Sequence, residues 1–249
     1  MKIVWVSANL LGFKLLEEVY SFIKENLTII TLSEKSKTIM YDGVDCSSWD
    51  EEFPNTDIIK VDRIEDSIDK IKDMNPDLII MCGWRQIINK ELLNIPKFGW
   101  VGFHPTLLPI GRGPAPIINS ILNRLDESGL TMFYLTGGID DGDIIGQEKF
   151  MISENDYAKD VYKKIILAGK VLVNKYIPIL LENNVTRIKQ NKSKVTYFEK
   201  PNFKDMELKS SDSIETKYRK IRAFSKPYKG AYIKDGNKKI RIWEASLDV

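Results

Sequence analysis

Short apolar runs separated by stretches of helical period set the organisation of this chain from Lys2 to Phe103. Lys2 to Ala8 is β-branched and apolar, the pattern of a buried strand. Asn9-Leu10-Leu11-Gly12 turns it into a helix whose apolar positions are Leu15, Leu16, Val19, Phe22 and Ile23. Leu27 to Leu32 predicts a second strand, and polar Ser33 to Asn55, with Asp42-Gly43, a loop. Ile58 to Val61 predicts a third strand and Ile64 to Met74 an amphipathic helix. Leu78 to Cys82 is apolar throughout, as a central strand buried on both faces would be, and stops at Gly83-Trp84-Arg85-Gln86. A short helix over Asn89 to Asn94 ends before Pro96, and Trp100 to Phe103 predicts a fifth strand.

Strands alternating with helices predict an α/β fold: a doubly wound, Rossmann-like, mostly parallel sheet. Ligands of such sheets bind beyond the carboxyl ends of the strands. Asn9, Gly83-Trp84, His104 and, after an apolar run at Leu130 to Leu135, Asp140 all fall there.

Further along, Ser153 with Asp156 three residues on predicts the start of a long helix to about Tyr176. Val161, Ile165, Ala168, Leu172 and Tyr176 form its apolar stripe, and Pro178 is expected to end or kink it. Val195 to Pro201 turns back and polar Asn202 to Ser213 reads as a linker. A helix over Ile214 to Phe224 then precedes a hairpin of Tyr232-Ile233 and Ile240 to Trp243 about Asp235-Gly236. The expected division is a core over 1–190 and a small helix-plus-hairpin subdomain over 191–249.

Composition narrows the function classes. The 249 residues are 43% hydrophobic and 29% charged, ordinary for a globular protein. A net charge of +2 argues against a surface built to hold nucleic acid. The basic run Lys217, Arg219, Lys220, Arg222, Lys226 and Lys229 reads first as a solvated face. No apolar run reaches the roughly 20 residues of a membrane span, and MKIVWVSAN reads as a strand, so a cytoplasmic location without membrane contact is expected. Cys46 and Cys82 are too few for a disulfide framework and lack histidine company, so no metal is expected. The first strand–helix turn, SANLLGF, has one glycine where a dinucleotide fingerprint has three. P-loop and nucleophile-elbow motifs are absent from the sequence.

The chemistry-bearing stretch runs from Gly99 to Phe150. His104, the only histidine, ends an apolar run and is followed by a loop with Pro109, Gly111, Arg112, Gly113, Pro114 and Pro116. The run Leu130 to Leu135 leads into Gly137-Gly138-Ile139-Asp140-Asp141-Gly142-Asp143. A lone histidine is commonly structural. A carboxylate beside it at a neighbouring strand end would instead prepare it for proton transfer near neutral pH. Asp-Asp-Gly-Asp is also turn chemistry, so at least one of these aspartates is expected to serve the turn alone.

HPTLLPIGRGPAPI followed by ESGLTMFYLTGGIDDGDII resembles the folate-dependent formyltransferase family. The family pattern is Asn-x-His-x-Ser-Leu-Leu-Pro, then Arg-Gly, then Gly-Val-Thr and Leu-Asp-x-Gly-Asp-Ile. Met81 to Ile88 sits at the family's pteridine loop, and IRAFSKPYKGAY resembles the start of its C-terminal region. The resemblance implies transfer of a formyl group from N10-formyltetrahydrofolate to a primary amine, with His104 and Asp140 in the catalytic positions. It places Trp84, Arg85, Gln86, Ile87, Ile88, Gly138, Ile139 and Asp143 around the folate. Asn9, Thr106, Pro109, Arg112 and Gly113 fall on the acceptor side.

One departure stands out: Gly102 occupies the position of the family's catalytic asparagine, which offers a donor to the oxyanion. Another donor replaces it, the enzyme is slow, or the chain is a binding relative; a replacement donor is the expectation. Transfer-RNA formyltransferases carry a basic C-terminal barrel too large to form from the residues after Tyr197, whereas smaller relatives formylate amino sugars on nucleotides. The expected acceptor is therefore a nucleotide-linked 4-amino-4,6-dideoxy or 3-amino-3,6-dideoxy sugar, its product feeding surface polysaccharide synthesis. Asn9 and the Ser33 to Trp49 loop are candidates for contact with it. Relatives of this size commonly pair through their C-terminal regions, which implies a homodimer.

Overall fold

The computed structural model describes residues 1–39 and 42–248. Seven strands form one sheet: β1 (Ile3–Val6), β2 (Leu27–Leu32), β3 (Asp57–Val61), β4 (Leu78–Met81), β5 (Trp100–His104), β6 (Glu127–Tyr134) and β7 (Ile144–Met151). Their order is β3-β2-β1-β4-β5-β6-β7, so the apolar β4 lies at the centre. β1 to β5 pair in parallel, whereas β6 runs antiparallel to β5 and to β7.

Helices α1 (Leu10–Ile23), α2 (Cys46–Glu52), α3 (Ile68–Met74), α4 (Lys90–Leu93), α5 (Pro116–Leu122), α6 (Ala158–Leu181) and α7 (Ile214–Phe224) complete the fold with the hairpin β8 (Ala231–Asp235) and β9 (Lys238–Ile242). Alternation along β1 assigns the two cores. Ile3 and Trp5 join α1 and α6 on one face; Val4 and Val6 join Ile71, Leu92 and Trp100 on the other. Gly169 of α6 admits Leu15 of α1, whose Cδ2 would lie 2.7 Å from any Cβ there. A side chain at that position would have to displace the end of Leu15.

Several expectations give way. Ser33 to Asn55 is not all loop: Asp45 caps α2 through the Ser47 N–H, and Trp49 and Phe53 are buried edge-on against Phe13. Met40 and Tyr41, in the Ser33 to Trp49 stretch, lie outside the described residues. The Pro- and Gly-rich loop holds α5, entered through Pro116 at its first turn, where a missing N–H costs nothing. The chain after Asp143 forms β7, an eight-residue strand. The long helix starts at Ala158, not Ser153, whose N–H bonds Asp156 in a separate turn. Pro178 does not end it: Ile177 and Leu180 stay buried on either side, and their packing outweighs one lost backbone hydrogen bond. Phe22 is exposed on α1 rather than part of its buried stripe. The hairpin turns on Gly236-Asn237, because Asp235 still pairs with Lys238. Among the described residues no helix is long and apolar enough to cross a membrane.

Candidate active site

The end of β5 delivers His104, and the loop after it is anchored from two neighbouring strands. Thr131 on β6 donates to the Thr106 carbonyl at 2.6 Å and accepts from the Leu108 N–H at 3.1 Å. Gln147 on β7 donates to the Leu108 carbonyl at 2.8 Å and to the Thr131 hydroxyl at 2.9 Å. The peptide between Leu108 and Pro109 is cis. Beyond Pro109 the loop pairs with a segment that follows α6. Arg112 N–H donates to the Thr196 carbonyl at 3.0 Å, Phe198 N–H to the Arg112 carbonyl at 2.8 Å, and Gly111 N–H to the Thr196 hydroxyl at 2.8 Å.

His104 is buried, with Nε2 at 2.8 Å from the Gly111 carbonyl. A carbonyl only accepts, so Nε2 carries the proton and donates it. Nδ1 faces Asp140 Oδ2 at 3.5 Å. That same oxygen accepts the Gly113 N–H at 2.8 Å, whereas Oδ1 takes no part in these contacts. The imidazole and the carboxylate, from two adjacent strand ends, thus confront one another with the lone pairs of Oδ1 left over.

Asp140 holds φ at +47°, a left-handed conformation that costs a side-chain-bearing residue about 1 kcal/mol. The surrounding loop compels it. A Cβ on Gly142 would come within 1.7 Å of the Tyr134 carbonyl, so the chain passes where only glycine fits. Gln190 donates to the Asp140 and Gly142 carbonyls, both at 2.8 Å, and accepts from Arg112 Nε and Nη2 at 3.2 and 2.7 Å. Arg112 is 7% exposed, lies against the Tyr197 ring, and forms no ion pair among the described residues. A buried guanidinium with neutral partners leaves positive potential on this loop, one residue before the Gly113 N–H that Asp140 accepts.

The other candidates divide. Gly102 sits on β5 two residues before His104, and Leu135 fills the space its side chain would need, with Cδ2 at 2.5 Å from a built Cβ. Thr106 is buried with its hydroxyl unpartnered, and the Trp84 indole N–H is likewise buried without a partner. Ile87 is 87% exposed on the loop after β4 and Ile139 is 61% exposed on the loop after β6; Ile88 packs partly into the core. Gln86 spends its side chain elsewhere, accepting from the Ile64 N–H at 2.7 Å and donating to the Asp62 carbonyl at 2.9 Å. Asn9 caps α1 through the Gly12 N–H at 2.9 Å and donates to Asp42 at 3.1 Å. Asp42 also accepts from Tyr162 at 2.7 Å and pairs with Arg85 at 3.2 Å. Burial first, and then the Asp42 carboxylate, push the Tyr162 phenol well above its ordinary range. Of the three aspartates Asp140 alone meets His104: Asp141 bonds Thr136 and Asp143 pairs with Lys189 at 3.2 Å. Gly138 opens that turn, its N–H donating to the Thr136 hydroxyl at 3.2 Å. Gln190, Gln147 and Thr196 carry no sequence signal of their own. They are uncharged, common residues whose importance comes from what they meet.

A profile described as formyl transferase matches residues 60–175. The chain is 37% identical over 183 residues to a methionyl-tRNA formyltransferase of a Wolbachia from Drosophila simulans, covering 72% of this chain and 58% of that protein. It belongs to the formyltransferase family. Over 180 residues it is also 34% identical to a bifunctional polymyxin resistance protein, ArnA, of Wigglesworthia glossinidia brevipalpis, covering 72% of this chain and 28% of that one. A crystal structure of a 4-N formyltransferase from Francisella tularensis superimposes with TM-score 0.78 at 26% identity, covering 100% of this chain and 98% of the other. The chain therefore spans 58% of the length of the first methionyl-tRNA formyltransferase and nearly all of the Francisella protein. His104 and Asp140 both lie within the matched profile, whereas Gln190 and Thr196 lie beyond it.

Proposed function

We propose that this protein moves the formyl group of N10-formyltetrahydrofolate onto the amine of a nucleotide-linked amino-dideoxy sugar. The observation that carries formyl transfer is the confrontation of His104 and Asp140 beneath the backbone N–H of Gly113. The rim fits the folate: Ile87 and Ile139 stand exposed on the loops after β4 and β6, as apolar cover for a flat heterocycle would. When bound, the folate supplies a formyl carbon joined to a nitrogen that leaves. Asp140 Oδ1 takes the proton released as the acceptor nitrogen forms its bond to that carbon. The His104 ring, held by the Gly111 carbonyl, receives that proton from Asp140 at the Nδ1 that faces it and passes it to the departing nitrogen. The buried Arg112 guanidinium favours the negative charge that builds on the formyl oxygen. Leu135 occupies the place of an asparagine side chain at position 102, so the donor expected there must come from elsewhere in the loop.

For the acceptor, the nearly full-length likeness to the Francisella 4-N formyltransferase supports a nitrogen at a 4-position, which we read as that of an amino sugar. Formylation of a charged transfer RNA is the second reading, supported by the sequence relatives. Each acceptor can be offered with N10-formyltetrahydrofolate while product mass is followed. The expected outcome is a gain of one formyl group on a nucleotide-linked 4-amino-4,6-dideoxy or 3-amino-3,6-dideoxy sugar and none on methionyl-tRNA. His104→Ala and Asp140→Asn are each expected to lower kcat on the order of a hundredfold or more. Formylated initiator RNA with unchanged sugar would reverse the assignment of acceptor, and full turnover by both variants would refute the assignment of the site.

A further inference from the structure

Gln190 lies on the segment after α6, outside the residues that the formyltransferase profile matches. Its carboxamide makes four contacts, all to the two loops that carry the reactive groups. Nε2 donates to the Asp140 and Gly142 carbonyls, and Oε1 accepts both Nε and Nη2 of Arg112. A carboxamide owns two N–H donors and one oxygen with two lone pairs, so this one is saturated. It is also locked in orientation. Reversed, its oxygen would face two carbonyls and its NH2 a guanidinium.

The consequence reaches the imidazole. Asp140 sits in a left-handed conformation, which survives only where its surroundings over-determine it. Gln190 grips the carbonyl of that residue and of the residue two further on, while its other end fixes Arg112, next to the Gly113 N–H that holds the Asp140 carboxylate. We propose that Gln190 is a positioning residue: it locks the 136–143 loop against the 107–113 loop, keeping Asp140 opposite His104 and the Arg112 guanidinium beside them. The kinetic part of this inference rests on the formyl-transfer reading; the structural part does not.

The test exploits the single histidine, whose imidazole resonances in tag-free protein belong to His104 alone. Gln190→Ala is expected to lower kcat by about 10- to 100-fold with KM for both substrates within about threefold. The ring 1H and 15N signals of His104 are expected to move with it. Gln190→Glu keeps the acceptor for Arg112 but sets a carboxylate against two carbonyls, and should show the same loss while remaining folded. Lys189→Ala removes an exposed neighbour on the same segment, paired with Asp143, and should leave kcat and the imidazole signals at wild-type values. Wild-type turnover and imidazole signals in either Gln190 variant would overturn the proposal, as would an equal loss in Lys189→Ala. Failure of both Gln190 variants to fold would also count against it, making the residue one of stability. If the wild-type protein transfers no formyl group the functional reading fails, while the imidazole spectra still judge the placement of Gln190.

Discussion

At position 102 a glycine faces Leu135, and the two explain each other: the leucine occupies the volume that a larger residue would claim. Restoring the family's asparagine is thus a question of packing before it is one of catalysis. Gly102→Asn alone crowds Leu135 and is expected to lower the denaturation midpoint, overpacking costing about 1–3 kcal/mol. Gly102→Asn combined with Leu135→Ala makes room, and should recover the midpoint of Leu135→Ala alone and raise kcat about tenfold by adding an oxyanion donor. Stability melts and steady-state turnover check both; a single variant as stable as the wild type would show that Leu135 simply steps aside. At this scale the sequence marked His104 and Asp140 by residue type and by place after apolar runs. It could not mark Gln190 or Gln147, because an uncharged amide becomes important only through the partner that folding brings to it.

Elements with self-contained signals were legible. The α7 helix spans Ile214–Phe224 as its pattern predicts, because Ser213 caps it through the Thr216 N–H and Phe224 anchors it in the core. A turn before it is stapled on by Asp212, which accepts Lys220 at 2.7 Å. That ammonium, and then the Lys209 N–H, hold the Asp212 carboxyl below the ordinary carboxylate range. A carboxyl depressed in the folded state contributes stability above its unfolded value and loses it as pH falls through its folded value. Asp212→Asn should therefore lower the thermal midpoint at neutral pH, and the gap from wild type should close as the protein is acidified. A gap constant with pH would show that shape, not charge, matters there. Elements fixed by distant contacts were not legible. α2 forms where Trp49 and Phe53 find Phe13, and α6 crosses Pro178 because Ile177 and Leu180 have a sheet to bury against.

Across the whole molecule, charge illustrates the same division. The basic run from Lys217 to Lys229 does not form one exposed face: Arg222 is buried against the Tyr218 ring and donates to the Asp156 carbonyl, and Lys220 is engaged with Asp212. Arg222 and Lys220 are thereby withdrawn from contact with phosphates, so transfer RNA is expected to bind no tighter than about 1 µM at physiological salt in a filter-binding titration. Tighter, steeply salt-dependent binding would return the acceptor assignment to RNA. The sequence by itself determined the five strands through β5 and the helices around them except α2, the apolar centre at β4, and the pair of strand ends that lead to His104 and Asp140. Those are properties of local period and residue type. Only the tertiary structure decided that β6 and β7 turn antiparallel, that Leu135 fills the space above Gly102, and that a segment beyond α6 returns to clamp the Asp140 loop. Those outcomes depend on which distant surfaces meet, and no window of sequence contains both partners.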